Sequence, residues 1–593
     1  MRYHNNYILS ISKTLALVLV TIFLFSGKSY ARSDLYQEIA TIYPSLEQTK
    51  FTEQDVPEIF RLILFEMELA YKHQDALIQF YAEQGYQLIW IKNGKPTAKA
   101  KRLLQELDNS WTHGLNPEKY KVNELYKMME HSGWQESLIT QVLFDLGVSH
   151  ASAMFAEDLS GVRSDLENIH IDKSHWRKPV DPVTALVELH KNENVTKVFQ
   201  SLYPNNVLYE ELRYALIKNV RKLTPYDSNP YYKNASSEPV ELVIHPSMNH
   251  SLIPGIRKDL IEISGYNDPG SSSTHYDSHL YHLVKDFQRR HNIVEDGIIG
   301  PQTLELLQKN RRSKIDQIIA NMERLRWIDF ERPDKYIVVN IPSARLWAIQ
   351  EGETKIQMPV VVGRKERPTP SFVGHIEGVR FNPSWTIPQS IKTKDFHPKI
   401  SENPDILHEK DIEVFDGFGS DAPLLDPDTV DWTSISPEDL RRFNMVQKPG
   451  DHNALGRFRF LMYNKDNIYL HDTNQPEMFK HSYRAESSGC VRVAEPEKLV
   501  SFVLNKNTEK SKQQLDKISQ SLEETDIRAK ISVPVYILYL TMWFQNDGTL
   551  VFGPDIYDYD SQLIRTLRHK DAIFEPQNKS NRISALTNSE KNG

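Results

Sequence analysis

Apolar residues recur at helical spacing through the first part of the chain. Steps of three and four residues between buried-type side chains predict amphipathic helices over Val56–Ala70, Thr97–Leu107, Leu138–Phe155, Pro182–Lys191 and Tyr209–Leu223. Between them, Tyr86–Ile91 predicts a short strand or turn closed by Asn93-Gly94, and Gly114–Pro117 predicts a loop. Residues 32–245 carry no clear metal-ligand set, phosphate loop or paired carboxylates. They therefore favour a helical scaffold domain.

Residues 246–310 predict a small module of three helices. These helices cover Ile256–Ser264, Leu280–His291 and Pro301–Leu307. Leu280, Leu283, Val284 and Phe287 share one face of the second helix, and Pro301 is suited to the first turn of the third. A separate helix over Ile315–Arg326 follows.

Strand patterns dominate residues 311–545. The predicted strands are Tyr336–Ile341, Leu346–Ile349, Gln357–Val362, Val379–Ile387, Gly456–Tyr463, Ile468–Leu470 and Val533–Met542. The polar stretch 389–447 interrupts them and predicts an insertion that caps the β-rich domain. Helices are expected over Pro496–Leu504 and around Gln514–Ile518, and residues 546–593 form a C-terminal extension whose polar end, from Phe574, is predicted to be disordered. The fold class is thus α+β and multidomain, with a sandwich-like β domain.

Composition limits the classes of protein that fit. A chain of 593 residues is too long for one hydrophobic core, so several domains are expected. The 71 Lys and Arg residues against 79 Asp and Glu give a net charge of −8, which offers no electrostatic case for nucleic acid as a partner. No cofactor motif is apparent.

The N-terminus carries an export pattern. Arg2 and Lys13 precede the apolar run Leu15–Phe25, and Ser29-Tyr30-Ala31 places small residues three and one positions before a cleavage point. Because the run is shorter than the roughly 20 residues of a membrane span, residues 1–31 predict a cleaved signal peptide. The alternative is an uncleaved anchor in the inner membrane. Both place the body of the protein outside the cytoplasm.

Cys490 is the only cysteine in the chain, so an internal disulfide is excluded. It follows the turn Ser487-Ser488-Gly489, and His471 stands 19 positions earlier, after a predicted strand. A thiol becomes a nucleophile when a base removes its proton, and Gly489 and Cys490 N–H groups could form an oxyanion hole. The alternative for Cys490 is an inert buried thiol. A zinc site of His471, His481 and Cys490 is disfavoured because further ligands are not grouped nearby.

The motifs His471-Asp472-Thr473 and Ser487–Arg492 resemble the active-site signature of the L,D-transpeptidases with a YkuD-type catalytic domain. The chain as a whole resembles the large periplasmic YcbB-like group, on motifs that run from Asn321–Arg324 to Asp555–Tyr557. Residues 246–310 resemble a peptidoglycan-binding-like domain, whose Phe-Gln…Asp-Gly-x-x-Gly-x-x-Thr run is complete here.

The resemblance implies cysteine-dependent acyl transfer on peptidoglycan. Cys490 would attack the carbonyl that links diaminopimelate to D-Ala in a tetrapeptide stem, and an amine of a neighbouring stem would resolve the thioester into a 3→3 cross-link. His471 would be the base, oriented by the backbone carbonyl of Asp472. Arg492 would bind a substrate carboxylate and Tyr469 would line the pocket; a structural Arg and a packed aromatic are the alternatives.

Two positions depart from the family pattern. Ser488 stands where many relatives have His, which leaves His471 as the sole obvious base, and Phe460–Asn464 replaces an expected Phe-Pro-Asn turn. The expected partners are peptidoglycan stem peptides and glycan, with other cell-wall enzymes as a further option. Two other functions stay open: an L,D-carboxypeptidase that uses water as the acceptor, and a non-catalytic wall-binding scaffold.

Overall fold

The computed structural model of the chain describes residues 56–569, except 67–70, 131–137, 162, 164–176, 222–242, 265–271, 291–294, 329–332, 482, 507 and 545–549. The expected signal peptide and the polar stretch after Phe574 lie outside the described residues. The chain divides into two compact units. The first contains residues up to 166, 178–326 and those from 563, and the second contains 167–177 and 327–562.

Helices build the first unit. They are α1 (Val56–Glu66), α2 (Tyr71–Glu83), α3 (Ala98–Asp108), α4 (Val122–Glu130), α5 (Leu138–Ser160), α6 (Pro182–Lys191), α7 (Val195–Leu202), α8 (Val207–Arg221), α9 (Ile253–Ser264), α10 (Ser278–Arg290) and α11 (Pro301–Trp327). Strands β1 (Ile91–Lys92) and β2 (Lys95–Pro96) pair across Asn93-Gly94, so the predicted strand over 86–91 is mostly turn. The Thr97 side chain accepts a hydrogen bond from the Ala100 N–H and so begins α3.

Helix α5 is the central helix of the scaffold. Among the described residues it alone is long and apolar enough to cross a membrane, yet 72% of its apolar window is buried within the protein. Its Asp145 carboxylate is buried and accepts hydrogen bonds from the Trp90 N–H (2.7 Å) and the Tyr81 hydroxyl (2.6 Å). Its apolar surface therefore belongs to the scaffold core.

The three-helix module holds its signature residues inward. Gln288 of α10 accepts from the Gly297 N–H at 2.8 Å and donates to Asp296, to the Ile298 carbonyl and to the Thr303 hydroxyl. Its third helix does not end near Leu307: α11 continues through the basic stretch 311–314, so the two separate helices predicted there are one helix. The predicted domain boundary at 310 falls inside it.

The second unit is rich in strands. These are β3 (Lys335–Asn340), β4 (Arg345–Gln350), β5 (Glu353–Gly363), β6 (Phe372–Phe381), β7 (Trp385–Thr386), β8 (Ile412–Asp416), β9 (Leu424–Leu425), β10 (Phe443–Gln447), β11 (Phe458–Met462), β12 (Leu470–His471), β13 (Ala485–Ser487), β14 (Val491–Val493), β15 (Thr525–Leu538), β16 (Met542–Phe544) and β17 (Leu550–Phe552). Its helices are α12 (Gln389–Ile391), α13 (His397–Glu402), α14 (Ile406–Glu409), α15 (Pro496–Leu504), α16 (Glu509–Gln520) and α17 (Tyr559–His569), the last of which runs into the first unit.

Nine strands form one mixed sheet in the order β13-β5-β14-β12-β11-β6-β15-β3-β4. A further pairing of β4 with β5 closes this sheet on itself, so the β domain is barrel-like as well as sandwich-like. Side chains alternate between its two faces. Phe458, Phe460, Leu470, Val491 and Val493 point into the hydrophobic core, which leaves the residues between them for the opposite face. The α+β multidomain fold class is confirmed.

The stretch predicted as a capping insertion has a sheet of its own. Strands β7, β10, β8 and β9 pair in that order, with α12–α14 beside them, and enclose a separate core around Trp432 and Met445. The predicted strand Val379–Ile387 is therefore two strands: Asn382, at φ +48°, ends β6, and β7 joins the insertion. Sequence patterning missed this sheet because its strands are short.

Strand β15 is longer and earlier than predicted. It begins at Thr525, contains an irregularity between Arg528 and Val533, and ends at Leu538 rather than Met542. Met542 starts β16, which pairs with β17 in a two-stranded sheet.

Candidate active site

Strand pairing brings the two candidate catalytic residues together. β12 and β14 are parallel neighbours in which Leu470 pairs with Val491 and His471 pairs with Arg492. Cys490 immediately precedes β14, and His471 lies two residues beyond the position opposite Cys490. Because strand side chains repeat every two residues, Cys490, Arg492 and His471 share one face of the sheet. The 18 residues between His471 and Cys490 form the crossover that makes this parallel pairing feasible.

His471 is buried, with 4% of its surface exposed, and its ring is fixed by a backbone carbonyl. Its Nδ1 lies 2.5 Å from the Asp472 carbonyl oxygen. Since a carbonyl only accepts hydrogen bonds, Nδ1 carries the proton and Nε2 of the neutral ring can accept one. Burial, reinforced by the positive charge of Arg492, lowers the pKa of His471 to about 3. The ring is therefore neutral at neutral pH.

The Cys490 thiol is a neutral partner for this base. The residue has intermediate exposure, and its Sγ lies 3.9 Å from the Asn467 carbonyl oxygen. Burial raises the pKa of Cys490, while the Tyr469 N–H and the charges of Arg492 and Arg459 oppose that rise. The resting pair is thus thiol and imidazole, not a thiolate–imidazolium ion pair.

The turn before Cys490 is held by hydrogen bonds from both sides. The Ser487 hydroxyl donates to the Cys490 carbonyl at 2.6 Å and accepts from the Gly489 N–H at 3.1 Å. The Thr369 hydroxyl donates to the Gly489 carbonyl at 2.7 Å. Gly489 has φ +117°, a conformation that L side chains rarely adopt, so this position requires glycine.

This arrangement bears on the expected oxyanion hole. The Gly489 N–H already donates to Ser487, so the structure does not leave it pointing to a substrate. Among the described residues, the Cys490 N–H has no such intramolecular acceptor. Of the two amides expected from the sequence, the one at Cys490 is therefore the better candidate.

Ser488 connects the nucleophile turn to the insertion through one arginine. Arg367 Nη1 donates to the Ser488 hydroxyl at 3.0 Å, and the same guanidinium forms an ion pair with Asp395 of the insertion. Arg364 also contacts Asp395, at 3.2 Å. Ser488, at the position where many relatives have His, is thus a hydrogen-bonding link and not a second base.

A further layer of residues supports Thr369. The Gly363 N–H donates to the Thr369 hydroxyl at 2.8 Å, and the Tyr557 hydroxyl donates to the Gly363 carbonyl at 2.5 Å. Tyr557 also accepts from the Thr369 N–H at 3.2 Å. Part of the C-terminal extension therefore braces the nucleophile turn. Tyr557 belongs to the family motif Asp555–Tyr557, and no role was predicted from the sequence for either Thr369 or Tyr557.

The Asp472 carboxylate has a structural task. It accepts hydrogen bonds from the Arg457 and Thr473 N–H groups, both at 2.7 Å, and burial raises its pKa. Gly456 packs against it so closely that a Cβ there would lie 2.4 Å from the Asp472 Cγ. Of the polar groups of Asp472, only the backbone carbonyl contacts His471.

The turn at Phe460–Asn464 is closed without the proline of the family pattern. The Asn464 side chain forms hydrogen bonds with both the N–H and the C=O of Ile468.

Two cations flank His471 on the open face of the sheet. Arg492 donates from Nη1 to Gln475 Oε1 at 2.9 Å and to Thr473 Oγ1 at 3.3 Å, which are neutral acceptors. Arg459 of β11 pairs with His471 from the other side, and its guanidinium lies 4.8 Å from the centre of the Tyr469 ring. Tyr469 thus contributes its N–H near the thiol and its ring beneath Arg459.

His481 stands apart from the thiol and the base. Its Nδ1 lies 3.0 Å from Glu486 Oε1 on the exposed side of the crossover. Within the parts of the chain that the structure describes, no group of three or more His, Cys, Asp or Glu side chains is placed to hold a metal ion.

Comparison with known proteins identifies the domains. Residues 334–537 match the YkuD family, described as an L,D-transpeptidase catalytic domain. Residues 75–216 match a scaffold domain and 253–307 match a "Putative peptidoglycan binding domain". The second unit therefore holds an L,D-transpeptidase catalytic domain. With its scaffold and peptidoglycan-binding domains, the chain has the architecture of the YcbB-like L,D-transpeptidases, and the resemblance in the sequence is confirmed.

Individual relatives overlap only part of the chain. A "Putative L,D-transpeptidase" of Haemophilus influenzae is 35% identical over 256 residues, which cover 43% of this chain and 50% of that protein. The chain thus spans about half the length of the curated relative. An L,D-transpeptidase structure from Mycobacterium smegmatis is 10% identical, with a TM-score of 0.18 over 35% of this chain and 58% of its own. One from Stackebrandtia nassauensis is 12% identical, with a TM-score of 0.17 over 51% and 97%.

Proposed function

We propose that this protein is a peptidoglycan L,D-transpeptidase with Cys490 as nucleophile and His471 as general base. The observation that carries the proposal is the parallel pairing of β12 with β14. It sets the thiol and a base of defined tautomer on one face of the sheet. The match of residues 334–537 to the L,D-transpeptidase catalytic domain supports the same chemistry.

Acylation begins with a proton transfer. His471 Nε2 takes the thiol proton as Cys490 Sγ attacks the carbonyl that joins diaminopimelate to the terminal D-Ala of a tetrapeptide stem. The Cys490 N–H donates to the oxyanion that forms. His471 then returns the proton to the departing D-Ala nitrogen, and the C–N bond breaks to leave a thioester.

Deacylation repeats these steps with a different nucleophile. The side-chain amine of diaminopimelate on a neighbouring stem loses a proton to His471 and attacks the thioester carbonyl. The C–S bond breaks, and the proton returns to the Cys490 sulfur. The product is a 3→3 cross-link, and the chemistry needs no cofactor.

The electrostatics of the site favour a base that acts only when the substrate is in place. Burial raises the pKa of the thiol and lowers that of the imidazole, so the proton stays on sulfur at rest. Arg492 and Arg459 stabilise negative charge on sulfur as it develops. A neutral resting thiol is a weak nucleophile toward solutes that do not fill the site.

The place of action follows from the substrate. A peptidoglycan enzyme works outside the cytoplasm, which agrees with residues 1–31 as a signal peptide and with a periplasmic location. An uncleaved inner-membrane anchor would place the enzyme in the same compartment. The peptidoglycan-binding module would bring the catalytic domain to glycan, and other cell-wall enzymes would be its neighbours.

Intact-protein mass spectrometry with a purified tetrapeptide muropeptide tests the proposal. We expect an adduct of the donor minus D-Ala on the mature chain, no adduct on Cys490→Ala, and a cross-linked product after the adduct forms. Release of tripeptide alone would make the protein an L,D-carboxypeptidase. Absence of any adduct with the wild-type protein would leave a wall-binding scaffold and overturn the proposal.

A further inference from the structure

A row of charged residues crosses the sheet on the face that carries the thiol. Pairing between successive strands aligns Arg492 of β14, His471 of β12, Arg459 of β11, Arg380 of β6 and Asp526 of β15. Since cross-strand partners point to the same side of a sheet, these five side chains lie on one face. The row therefore continues the catalytic site outward along the sheet.

Two neighbouring arginines of the row, Arg459 and Arg380, differ in their ion pairs. Arg380 is neutralised, because it contacts Asp526 at 2.6 Å and Glu524 at 3.0 Å. Arg459 forms no ion pair with the described residues, and its buried Nε has no hydrogen-bond partner. The charge of Arg459 contributes to lowering the pKa of Asp526, but the Asp526 carboxylate accepts its hydrogen bonds from Arg380. Arg459 is thus a cation with unused donors beside the catalytic base.

The guanidinium of Arg459 is also held in place. It lies over the Tyr469 ring, 4.8 Å from the ring centre, which is within the range of a favourable cation–π contact. An arginine stacked in this way keeps its planar edge for a bidentate bond to a carboxylate. The ring restricts its rotamers, so less entropy is lost when an anion binds.

Arg459 and Arg492 are held at different places along the row. His471 lies between them, and adjacent strands are about 4.8 Å apart, so their backbones are separated by about 10 Å. The Arg459 guanidinium lies over Tyr469, whereas that of Arg492 donates to Gln475. An extended peptide rises about 3.3 Å per residue and would cover this distance with about three residues. A stem peptide, which carries more than one free carboxylate, fits this spacing.

We propose that Arg459, stacked on Tyr469, is a carboxylate-binding residue that determines specificity for the donor stem peptide. It takes a free carboxylate other than the one bound near Arg492, and so fixes the direction in which the peptide crosses His471. This assignment deepens the proposed transpeptidase function and depends on it for the identity of the ligand.

Donor tetrapeptides with one carboxylate at a time converted to a carboxamide test the assignment. Their dissociation constants are measured by calorimetry on full-length protein carrying Cys490→Ala, so that binding is read without turnover. We expect Arg459→Gln to raise the dissociation constant of the unmodified peptide by about 10- to 100-fold, as for the loss of a charge-assisted pair. The peptide whose Arg459-bound carboxylate has been amidated should bind weakly to the Cys490→Ala protein, and adding Arg459→Gln should weaken its binding no further. Arg459→Lys, which keeps the charge but not the planar fork, should fall between.

Arg528→Gln is the matched control. Arg528 is an exposed arginine of β15 that is already paired with Glu377 at 2.8 Å, and its removal leaves Asp526 held by Arg380. We expect it to change binding of all the peptides by less than about twofold. Equal losses for every peptide on Arg459→Gln would mean a general electrostatic effect and would overturn the assignment. Because binding is measured without the nucleophile, weak binding by Arg459→Gln would stand even if the wild-type protein formed no thioester. That second result would overturn the proposed function alone.

Discussion

The peptidoglycan-binding module and the catalytic domain each carry a short signature motif, and the two motifs use their polar atoms differently. In the module, the Gln288 side-chain oxygen accepts a hydrogen bond from Gly297, and its nitrogen donates to Asp296, Ile298 and Thr303. In the catalytic domain, the Cys490 N–H has no intramolecular acceptor among the described residues, and the Cys490 side chain is partly exposed. The polar groups of the first motif bond to one another within the module, whereas the second motif contains the groups proposed to act on the substrate.

This difference changes what each motif says about function. The complete Phe-Gln…Asp-Gly-x-x-Gly-x-x-Thr run identifies the module, but its polar side chains are used internally and are poor candidates for contacting glycan. Any glycan-binding surface of the module must be sought on other residues. The His471 and Cys490 motif, in contrast, consists of the groups expected to touch the substrate, and the predictions below separate these two kinds of motif.

The largest effect is expected from the base. His471→Gln should slow thioester formation by about 10²- to 10⁴-fold, because no other described group is positioned to take the thiol proton. Acylation is measured by intact mass over time with the tetrapeptide donor. His481→Gln, which alters an exposed histidine paired with Glu486, is the control and should acylate at the wild-type rate. An equal loss in both variants would remove His471 from the mechanism.

The lowered pKa of His471 predicts how the stability of the protein depends on pH. Its pKa of about 3 lies below the ordinary value near 6.5, so the unfolded chain binds this proton more readily between those values. The neutral ring therefore contributes stability above about pH 6.5 that is lost as the pH falls toward 3. We expect the melting temperature of His471→Gln to depend less on pH over that interval than that of the wild type. Acylation by the wild type should show no titration near pH 6.5.

Gly456 tests whether the catalytic motif also depends on packing. Gly456→Ala places a Cβ 2.4 Å from the Asp472 side chain and forces an L residue to φ +61°. We expect a loss of about 2–4 kcal/mol in the free energy of unfolding, and slower acylation, because Asp472 also orients His471.

Gly352→Ala is the matched control for this change. Gly352 has φ +76° with nothing within 4 Å of a Cβ. Gly352→Ala should therefore lower the free energy of unfolding by only about 1 kcal/mol, from the strained backbone alone. Denaturant unfolding monitored by intrinsic fluorescence gives both values. Equal losses in the two variants would show that the contact with Asp472 is unimportant.

Gln288 tests the structural role of the motif in the peptidoglycan-binding module. Gln288→Ala leaves the buried Gly297 N–H without its acceptor and should destabilise the module by about 1–3 kcal/mol. Faster hydrogen exchange in α10 would report this, while the acylation rate should be unchanged. His279→Ala, an exposed change on the same helix, should leave exchange as it is. Loss of acylation in Gln288→Ala with exchange unaltered would contradict the assignment of a structural role.

The smallest effect is expected from the link to the insertion. Arg367→Ala removes contacts to both Asp395 and Ser488, and Arg364→Ala removes a contact to Asp395 only. We expect Arg367→Ala to slow acylation by about three- to tenfold, in line with the loss of one hydrogen bond at the nucleophile turn. Arg364→Ala should stay within twofold. Equal rates in the two variants would show that the Ser488 contact does not position Cys490.

Much of this architecture could be predicted from the sequence because local patterns carry it. The helices α5 and α6, the strands β3 and β4 and the helix Pro496–Leu504 all follow from periodicity and from turn or cap residues. Cys490 and His471 could be chosen because their motifs are local. The roles proposed for Gly489, Ser488, Arg492 and Tyr469 remain predictions, although their contacts are now defined.

What the sequence could not supply depends on long-range pairing. Arg459 is brought beside His471 by β11, and Tyr557 reaches Gly363 from 194 residues away. Two separate helices were predicted on either side of the basic stretch at 311–314, yet α11 passes through it, because Arg and Lys have high helix propensity. The insertion sheet was missed since strands of two to five residues give little alternation.

The position of β15 has a consequence for how the protein is made. This strand is inserted between β6 and β3, so the closed sheet cannot form until residue 538 has been synthesised. A nascent chain that ends just beyond Cys490 contains both Cys490 and His471, and it lacks the strand that completes the barrel around them. The closed sheet that holds these two residues therefore forms only once β15 has docked between β6 and β3.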